Sequence, residues 1–513
     1  MKIGRAWAQR VLAGAFLGAA LCILSFGQAA AADDAKPDAP AKADATAGEK
    51  LDLPPFPADA SVKQTMRLGG RVLSYTATVG SLPVRDDKGK IIAQVVFTAY
   101  TLDGPREPGR PVTFAFNGGP GAASVYLNLG AIGPKRVAFG AAGDSPSDPA
   151  YLVDNDGTWL DFTDLVFIDP VGTGFSRSLV SADETKKAFW ATKPDIEYLS
   201  RIVYDWLLKN GRMASPKYVA GESYGGFRGP RITHYLQTQL GVGVSGVVLL
   251  SPYLDSASGF DPAFSPLPWV ITLPSMAAAK LERQNQLTPE AMTGIEDYAR
   301  GEYASDLMKG RTDPAAAARM ERKVADLTGL DPAFVHRSGG RIETQAFLRE
   351  IFRNEGKLGS RYDSNVTQYD PFPYAPEQRT GDPILGTIIA PTTSAMADFV
   401  TRTVGWKVDG RYNALSEEVA RGWNDGHDEE VESVTALRQA VALDPKMRVL
   451  IAHGWDDLSC PFFASVLIVD QMPVMGDATR VQVKEYPGGH MFYARPDSRL
   501  ALRRDVMAVY GVR

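Results

Sequence analysis

The sequence contains few of the residues that bind metals or cross-link small exported proteins. Of its 513 residues only two are cysteine and five are histidine. It has no H-E-x-x-H motif and no cysteine cluster with zinc-ligand spacing. Walker and dinucleotide-binding fingerprints are also missing. We therefore expect neither a metal nor a cofactor.

Long basic runs are absent as well. The chain has 55 Lys and Arg against 60 Asp and Glu, a formal net charge of -5 at pH 7. Surfaces that bind nucleic acid are strongly basic, so nucleic acid is not an expected partner. The composition is otherwise 44% hydrophobic and 22% charged, which is typical of a globular protein with a large core.

The first 32 residues have the layout of a secretory signal peptide. Basic residues precede an apolar stretch at 11–26, and small residues at 29–32 form a cleavage-site pattern. An uncleaved membrane anchor is the alternative, but the apolar stretch is short for a membrane span. Lipidation at Cys22 is disfavoured because the large Leu21 precedes it. We predict export to the periplasm or cell exterior, with no stable membrane insertion after signal removal.

Signal removal would leave Cys460 as the only cysteine, so no intrachain disulfide could form. Residues 33–60 are rich in Ala, Pro, Asp and Lys. Such a segment buries too little apolar surface to offset its chain entropy, and we predict a disordered linker there.

The pattern from residue 61 onward predicts an α/β fold with a mostly parallel central sheet. Segments 71–79 and 91–102 are β-rich and indicate an antiparallel opening section. Short apolar strands then alternate with helices such as 194–208, which is typical of a parallel sheet flanked by helices. The predicted parallel strands are 112–116, 165–168, 218–220, 247–250, 448–452 and 481–486.

Residues 256–430 interrupt this alternation. They are rich in Ala, Arg, Glu and Met, contain helical stretches such as 314–327, and have few strand signals. We predict a mainly helical insertion that forms a cap between two core parts, 61–255 and 431–513.

The strongest chemical signal is Gly-Glu-Ser-Tyr-Gly-Gly at 221–226, which fits the G-x-S-x-G nucleophile elbow. A predicted strand precedes it, and a predicted helix at 231–240 follows. A glycine-rich turn with a surface serine is the simpler alternative. In the elbow interpretation Ser223 is the nucleophile, and the N–H of Tyr224 belongs to the oxyanion hole.

A second glycine-rich segment, Asn-Gly-Gly-Pro-Gly at 117–121, directly follows the strand at 112–116. Glycines there allow backbone N–H groups to approach a developing oxyanion, and we assign the second donor to Gly119. A tight turn is the alternative, but a turn needs fewer glycines.

The order Ser, Asp or Glu, then His is expected for the catalytic triad of this elbow. His490 follows the last predicted strand, at the edge of the sheet where active sites lie. His453 also ends a strand and is the alternative base. Asp456 and Asp457 both precede His490, and the interpretation with His490 as base satisfies the order. A simple aspartate turn is the alternative for these two residues.

Five motifs together resemble the serine carboxypeptidase family of the α/β-hydrolase superfamily. They occur in the family's order: NGGPG at 117–121, DPVGTGFS at 169–176, GESYGG at 221–226, DLSCP at 457–461 and GHM at 489–491. The resemblance implies an α/β-hydrolase fold with a helical insertion. It also implies Asp457 rather than Asp456 as the acid, because the family's acid lies three residues before the position of Cys460.

The resemblance further implies that Asn117 and Glu222 bind the C-terminal carboxylate of a peptide. Two carboxyl groups attract only while one is protonated, which would explain a preference for acid pH. A purely structural role for Glu222, bracing the elbow, is the alternative. Ala115 and Ala131 replace a Trp and a second Glu of the family, which weakens this recognition; Lys135 or Arg136 is a candidate substitute.

The predicted function is thus a serine-type carboxypeptidase that hydrolyses peptides with a free C-terminus through an acyl-enzyme. An esterase or acyltransferase with the same triad is the alternative. A non-catalytic binding protein on this fold is disfavoured, because binding requires none of Ser223, Asp457 and His490.

Overall fold

The computed structural model describes residues 53–105, 109–140, 145–255, 265–423 and 431–512. The signal peptide predicted at 1–32 and most of the linker predicted at 33–60 lie outside the described residues and stay predictions. All seven candidate site residues lie inside them.

Fourteen strands occur in the described residues. They are β1 (Ala60–Leu68), β2 (Arg71–Arg85), β3 (Ile91–Leu102), β4 (Val112–Phe116), β5 (Lys135–Ala138), β6 (Tyr151–Asp154), β7 (Asp164–Ile168), β8 (Arg177–Ser178), β9 (Lys217–Glu222), β10 (Gly246–Leu250), β11 (Lys357–Gly359), β12 (Thr367–Tyr369), β13 (Arg448–Gly454) and β14 (Val481–Tyr486).

Ten of these strands form the central sheet, in the order β1-β2-β3-β7-β4-β9-β10-β13-β14 with β8 beside β3. The pairs from β1 to β7 are antiparallel. From β7 through β14 every neighbouring pair is parallel. The predicted antiparallel opening and mostly parallel sheet are therefore confirmed.

Fourteen α-helices occur in the same residues. They are α1 (Ala182–Phe189), α2 (Thr192–Lys209), α3 (Tyr224–Thr238), α4 (Leu267–Arg283), α5 (Pro289–Tyr298), α6 (Ala304–Lys309), α7 (Pro314–Thr328), α8 (Pro332–Ser338), α9 (Thr344–Glu350), α10 (Pro383–Asp398), α11 (Glu417–Gly422), α12 (Val434–Leu443), α13 (Phe462–Asp470) and α14 (Pro496–Val509).

Helices α4 to α11 lie in the segment predicted as a helical insertion, where the described strands are the short pair β11 and β12. The boundaries of a cap at 256–430 stay a prediction. Helix α10 continues into a π-helical turn, and Pro383–Val404 is long and apolar enough to cross a membrane by length and composition alone. Met396 and Phe399 of this segment pack in the core, which accounts for part of its apolar composition.

Alternate residues of the buried strands contribute to two cores, one on each face of the sheet. In β10, Val247 and Leu249 pack in the core shared with α2, α3 and α12, whereas Val248 and Leu250 pack in the other. A strand buried on both faces has no polar side to expose, and this explains its continuous apolar run.

The helix after the elbow begins at Tyr224, not at residue 231 as the sequence predicted. The prediction placed its start after several glycines and Pro230, because these residues are poor helix formers. The glycines are accommodated here by close packing against neighbouring backbone, which helix propensity does not describe.

Candidate active site

Ser223 lies on a sharp turn between β9 and α3, as the G-x-S-x-G motif predicts. Its φ of 59° and ψ of -123° are rarely adopted by a residue with a side chain. A Cβ at Gly221 would lie 2.0 Å from the carbonyl oxygen of Gly225, and a Cβ at Gly225 would lie 2.2 Å from that of Phe116. Only glycines fit on either side of the serine, and the turn places Ser223 at the carboxyl end of β9.

The three predicted catalytic residues follow strands that run parallel in one part of the sheet. Ser223 follows β9, and Asp457 and His490 follow β13 and β14, so all three lie at the same edge. The segment after β10 connects the loop of Ser223 to the loop of His490 by hydrogen bonds. The N–H of Tyr253 donates to the carbonyl of Ser223 at 3.0 Å, and the hydroxyl of Ser251 donates to the carbonyl of His490 at 2.8 Å.

Asp457 and His490 form a buried pair. Nδ1 of His490 lies 2.7 Å from Oδ2 of Asp457. Oδ1 of Asp457 accepts the backbone N–H groups of Ser459 at 2.7 Å and Cys460 at 2.9 Å, which fixes the carboxylate. Burial alone lowers the pKa of His490, but the Asp457 carboxylate outweighs it, and that pKa lies well above its usual value. The arrangement therefore stabilises an imidazolium, as a general base requires.

His453, the alternative base, is buried away from this pair. Its Nε2 lies 2.8 Å from the hydroxyl oxygen of Ser465. Burial and the charge of His490 lower its pKa to about 3. A neutral His453 that is bound to Ser465 is a core residue, and it does not contact Asp457 in the described structure.

Of the remaining histidines that the structure describes, His234 lies in α3, and neither it nor His336 has a hydrogen bond to Asp457. His336 is exposed and lies 2.8 Å from Glu321, and His427 lies outside the described residues. Asp456, the alternative acid, has its side chain among Asn365, Glu282 and Arg495 and does not bond to His490.

The loop after β4 packs its backbone against the first residue of α3. A Cβ at Gly118 would lie 2.4 Å from the amide nitrogen of Tyr224 and 2.9 Å from Cβ of Ser223. Gly119 has a φ of 103°, which glycine alone adopts readily. Within the described part of the chain, the N–H groups of Gly119 and Tyr224 have no hydrogen-bond acceptor. Two unpaired donors next to the nucleophile are what an oxyanion hole needs.

Asn117 and Glu222 are in contact and almost fully buried. Nδ2 of Asn117 donates to Oε2 of Glu222, and the hydroxyl of Tyr493 donates to Oε1 at 2.7 Å. Burial raises the pKa of Glu222, although the charge of His490 and the two hydrogen bonds act in the opposite direction. A carboxyl group with a raised pKa stays protonated to higher pH than an ordinary glutamate, and in its protonated form it can bind a carboxylate.

Sequence reasoning missed two tyrosines in this region. Tyr493 contacts Glu222, and the buried hydroxyl of Tyr126 has no hydrogen-bond partner among the described residues. Lys135, one of the two suggested substitute charges, is instead bound to Asp154 and to the carbonyl of Thr65. The position of Tyr493 three residues after His490 was the only available signal.

A buried ion pair supports the oxyanion loop and was also missed. Nε of Arg228 in α3 lies 2.6 Å from Asp195 in α2, and both side chains are 1% exposed. Nη1 of Arg228 donates to the carbonyl of Asn117 at 2.8 Å. Helix α3, which follows Ser223, therefore carries a side chain that fixes the loop of Asn117 on the opposite side of the site.

Two sets of possible metal ligands occur in the described residues: Asp457 with Cys460 and His490, and Glu282 with Asp363 and Asp456. In the first set the Asp457 and His490 atoms already bond each other. The second set holds a guanidinium, that of Arg495. Neither set has the open, deprotonated ligands that a metal site requires.

The sequence of residues 96–282 matches the family described as serine carboxypeptidase. The matched segment covers less than half of the chain. It contains Asn117, Gly119, Glu222, Ser223 and Tyr224, whereas Asp457 and His490 lie beyond it.

One plant relative and one fungal relative illustrate how much of the chain matches. Serine carboxypeptidase-like 9 of Arabidopsis thaliana is 26% identical over 203 residues, which cover 36% of this chain and 44% of the relative. The pheromone-processing carboxypeptidase of Yarrowia lipolytica is 29% identical over 153 residues, 29% of this chain and 23% of the relative. The chain thus matches less than half of the length of these curated relatives.

The structural similarity covers most of the chain, more than the sequence matches do. The crystal structure of a prohormone-processing carboxypeptidase from Saccharomyces cerevisiae superposes with a TM-score of 0.53, covering 85% of this chain and 91% of that one at 15% identity. At this identity the likeness concerns the fold, and the predicted α/β-hydrolase fold is confirmed.

Proposed function

We propose that the chain is an exported serine-type carboxypeptidase that removes C-terminal residues from peptides. The observation that carries the proposal is the buried contact of Asn117, Glu222 and Tyr493, because Glu222 directly precedes the nucleophile in the chain. A protonated Glu222 can donate to the terminal carboxylate of a peptide, and Asn117 offers an amide beside it.

The geometry assigns a role to each group in the reaction. Ser223 attacks the carbonyl carbon of the last peptide bond while His490 takes its proton, and Asp457 stabilises the resulting imidazolium. The N–H groups of Gly119 and Tyr224 bind the oxyanion. His490 then gives its proton to the departing amino acid. Water attacks the acyl-enzyme with His490 again as base, which releases the shortened peptide and restores Ser223.

The helical insertion forms one wall of the proposed site. The carbonyl of Tyr362 accepts the backbone N–H of His490, and the two rings lie 5.2 Å apart in an edge arrangement. A cap built from residues 256–430 fits this contact. Export through the predicted signal peptide completes the proposal.

The test compares an N-blocked dipeptide that has a free C-terminus with its C-terminal amide and with an ester, at about pH 5. We expect strong preference for the free acid, and loss of all turnover in Ser223→Ala with the fold intact by circular dichroism. Equal cleavage of acid and amide, or cleavage of esters alone, would contradict carboxypeptidase activity and favour an esterase or acyltransferase. Turnover by Ser223→Ala would refute the assigned nucleophile.

A further inference from the structure

A group of acidic side chains lies directly behind the catalytic pair, and the proposed reaction does not use it. Glu282 at the end of α4, Asp363 in the loop between β11 and β12, and Asp456 place carboxylate oxygens within 4.8 Å of one another. Arg495 lies 2.8 Å from Asp363 and also binds Glu282. We call these four residues the carboxyl cluster.

Asp456 ties the loop of the catalytic acid to two other segments. It precedes Asp457, and its N–H donates to the carbonyl of Gly488 at 2.9 Å, in the loop that carries the base. Its own carbonyl accepts the hydroxyl of Ser364 at 2.9 Å, which lies in the insertion. A shift of Asp456 would therefore move the acid relative to the base.

The cluster also holds the residue before the catalytic base. Oδ2 of Asp363 accepts the N–H of Gly489 at 3.1 Å and a guanidinium hydrogen bond from Arg495 at 2.8 Å. A Cβ at Gly489 would lie 2.5 Å from Cα of Asp363. The contact between the insertion and the His490 loop is thus close enough to transmit a small displacement.

The surroundings of the Asp456 side chain favour a protonated carboxyl group. The residue has no exposed surface, and its Oδ1 has no partner among the described residues. Oδ2 receives only the amide of Asn365 at 3.3 Å, while Arg495 lies 3.8 Å away. A buried carboxylate that faces a second carboxylate is stable only if one of the two is protonated.

The charges of the cluster place that proton on Asp456. Burial and the facing Glu282 raise the pKa of Asp456 well above its usual value. Glu282 is also buried, but hydrogen bonds from Arg495 and Asp456 hold its pKa at about 2. Burial raises the pKa of Asp363, against the effect of Arg495. Arg283 of α4 is the second nearby cation, and it donates to Asn365 at 2.8 Å.

We propose that Asp456 is a positioning residue, which holds the loops of Asp457 and His490 in register while it donates a hydrogen bond to Glu282 and releases them when it ionises. The inference rests on the proposed function, which assigns those loops to catalysis. Ionisation adds a third carboxylate to a buried group that has two cations in reach. Because the pKa of Asp456 is higher in the folded chain than in the unfolded one, its stabilising effect is complete in acid and is lost as pH rises through the folded value.

Asp456→Asn tests the proposal, because asparagine keeps the size and an N–H donor but has no proton to lose. The rate at which a fluorophosphonate labels Ser223 is measured for the wild type and the variant between about pH 5 and about pH 8. The ratio of the two rates cancels the titration of His490. We expect the ratio of the variant rate to the wild-type rate to be near one in acid and to rise above the pKa of Asp456, by up to about tenfold per pH unit.

Two further variants make the result decisive. Asp470→Asn removes a half-exposed acid outside the cluster and should leave the ratio flat. Glu282→Gln removes the facing carboxylate and should show the same rise of the labelling-rate ratio with pH. It serves as the test if Asp456→Asn does not fold.

A ratio that stays constant with pH in Asp456→Asn and Glu282→Gln would overturn the proposal. If the wild type is not labelled at all, the proposed function fails instead. The thermal midpoint then tests the cluster separately: it should fall less between acid and neutral pH in Asp456→Asn than in the wild type, and parallel midpoint curves would refute the role of Asp456.

Discussion

Glu222 occupies an unusual position for an acidic side chain. It precedes the nucleophile by one residue, it is 2% exposed, and its two oxygens each receive a hydrogen bond from a neutral donor, Asn117 or Tyr493. No guanidinium or ammonium group pairs with it among the described residues. Its protonation state is therefore decided chiefly by burial, and under the proposed function the affinity for a substrate carboxylate depends on pH.

Glu222→Gln should remove that dependence. Glutamine is uncharged at every pH and keeps a donor, so KM for a free-carboxylate dipeptide should no longer rise as pH increases through the pKa of Glu222. A C-terminally blocked ester serves as control, since its KM should change little with pH in either protein. An equal shift of the pH profile for both substrates would leave Glu222 a structural role only.

Tyr493→Phe removes one of the two donors to Glu222. Because that hydrogen bond lowers the pKa of Glu222, its loss should raise this pKa further. We therefore expect KM for the free acid to begin rising at a higher pH than in the wild type, with kcat for the ester unchanged. Tyr486→Phe is the matched control, because its hydroxyl also binds a carboxylate, that of Asp505 at 2.7 Å, outside the site. Similar kinetics in the two variants would argue against a role for Tyr493 in substrate recognition.

The sequence predicted the polar residues of the site that lie next to glycine motifs, and it missed those that reach the site through tertiary packing. Asn117 and Glu222 stand in recognisable motifs, whereas Tyr493 follows its motif on a loop whose direction no local pattern indicates. Asp456 and Asp457 are adjacent and chemically identical. Resemblance predicts that Asp457 is the acid. In the structure the two side chains lie in different surroundings, that of Asp457 against His490 and that of Asp456 in the carboxyl cluster.

At the scale of elements, the elbow depends on how closely strand, loop and helix approach. The backbone of β4 and its loop contacts the first turn of α3 at Gly225, and the same loop supplies Gly118 to the other side of Ser223. Strand positions were predictable because each parallel strand is a short apolar run. The start of α3 was not, because a helix with two glycines in its first turn is stabilised by its tertiary contacts.

Gly225→Ala should therefore distort the site strongly, although it adds only one methyl group. The added Cβ would lie 2.2 Å from a backbone oxygen that cannot swing aside. We expect a loss of about 1–3 kcal/mol in the free energy of unfolding, and a decrease in kcat because the loop and the Tyr224 amide separate. Denaturant unfolding and ester kinetics measure both effects.

Gly294→Ala is the control for this substitution. It lies in α5, where a Cβ meets nothing within 4 Å, and alanine is the better helix former. Stability should be equal or slightly higher and kcat unchanged. If Gly225→Ala behaved like Gly294→Ala, the packing account of the elbow would be wrong.

At the scale of the whole molecule, several acids are buried without enough positive charge around them. Burial raises the pKa of Asp169 to about 7, and the pKa values of Glu222 and Asp456 are also raised. Each of these groups contributes stability that is complete below its unfolded value and is lost as pH rises through its folded value. Paired surface acids such as Asp398, whose pKa is lowered by Arg402, act in the opposite sense at lower pH.

The thermal midpoint should consequently be highest in mildly acidic solution and should fall as pH rises through about 7, where Asp169 ionises. Asp169→Asn should flatten the fall between about pH 6 and about pH 8, and calorimetry at each pH measures it. Asp398→Asn, on the surface, should leave this part of the curve unchanged. A wild-type midpoint that increases over the same interval would contradict the sign of the prediction.

The order of the sheet along the chain has a consequence for the timing of activity. The strand that leads to Ser223 lies in the first part of the core, whereas the strands that lead to Asp457 and His490 are added to the sheet edge only after the eight helices α4 to α11 have been made. A growing chain therefore presents the proposed nucleophile long before the proposed base exists. Under the proposed function the hydroxyl of Ser223 stays an ordinary alcohol until Asp457 and His490 have been made, so the nascent chain is not yet a hydrolase.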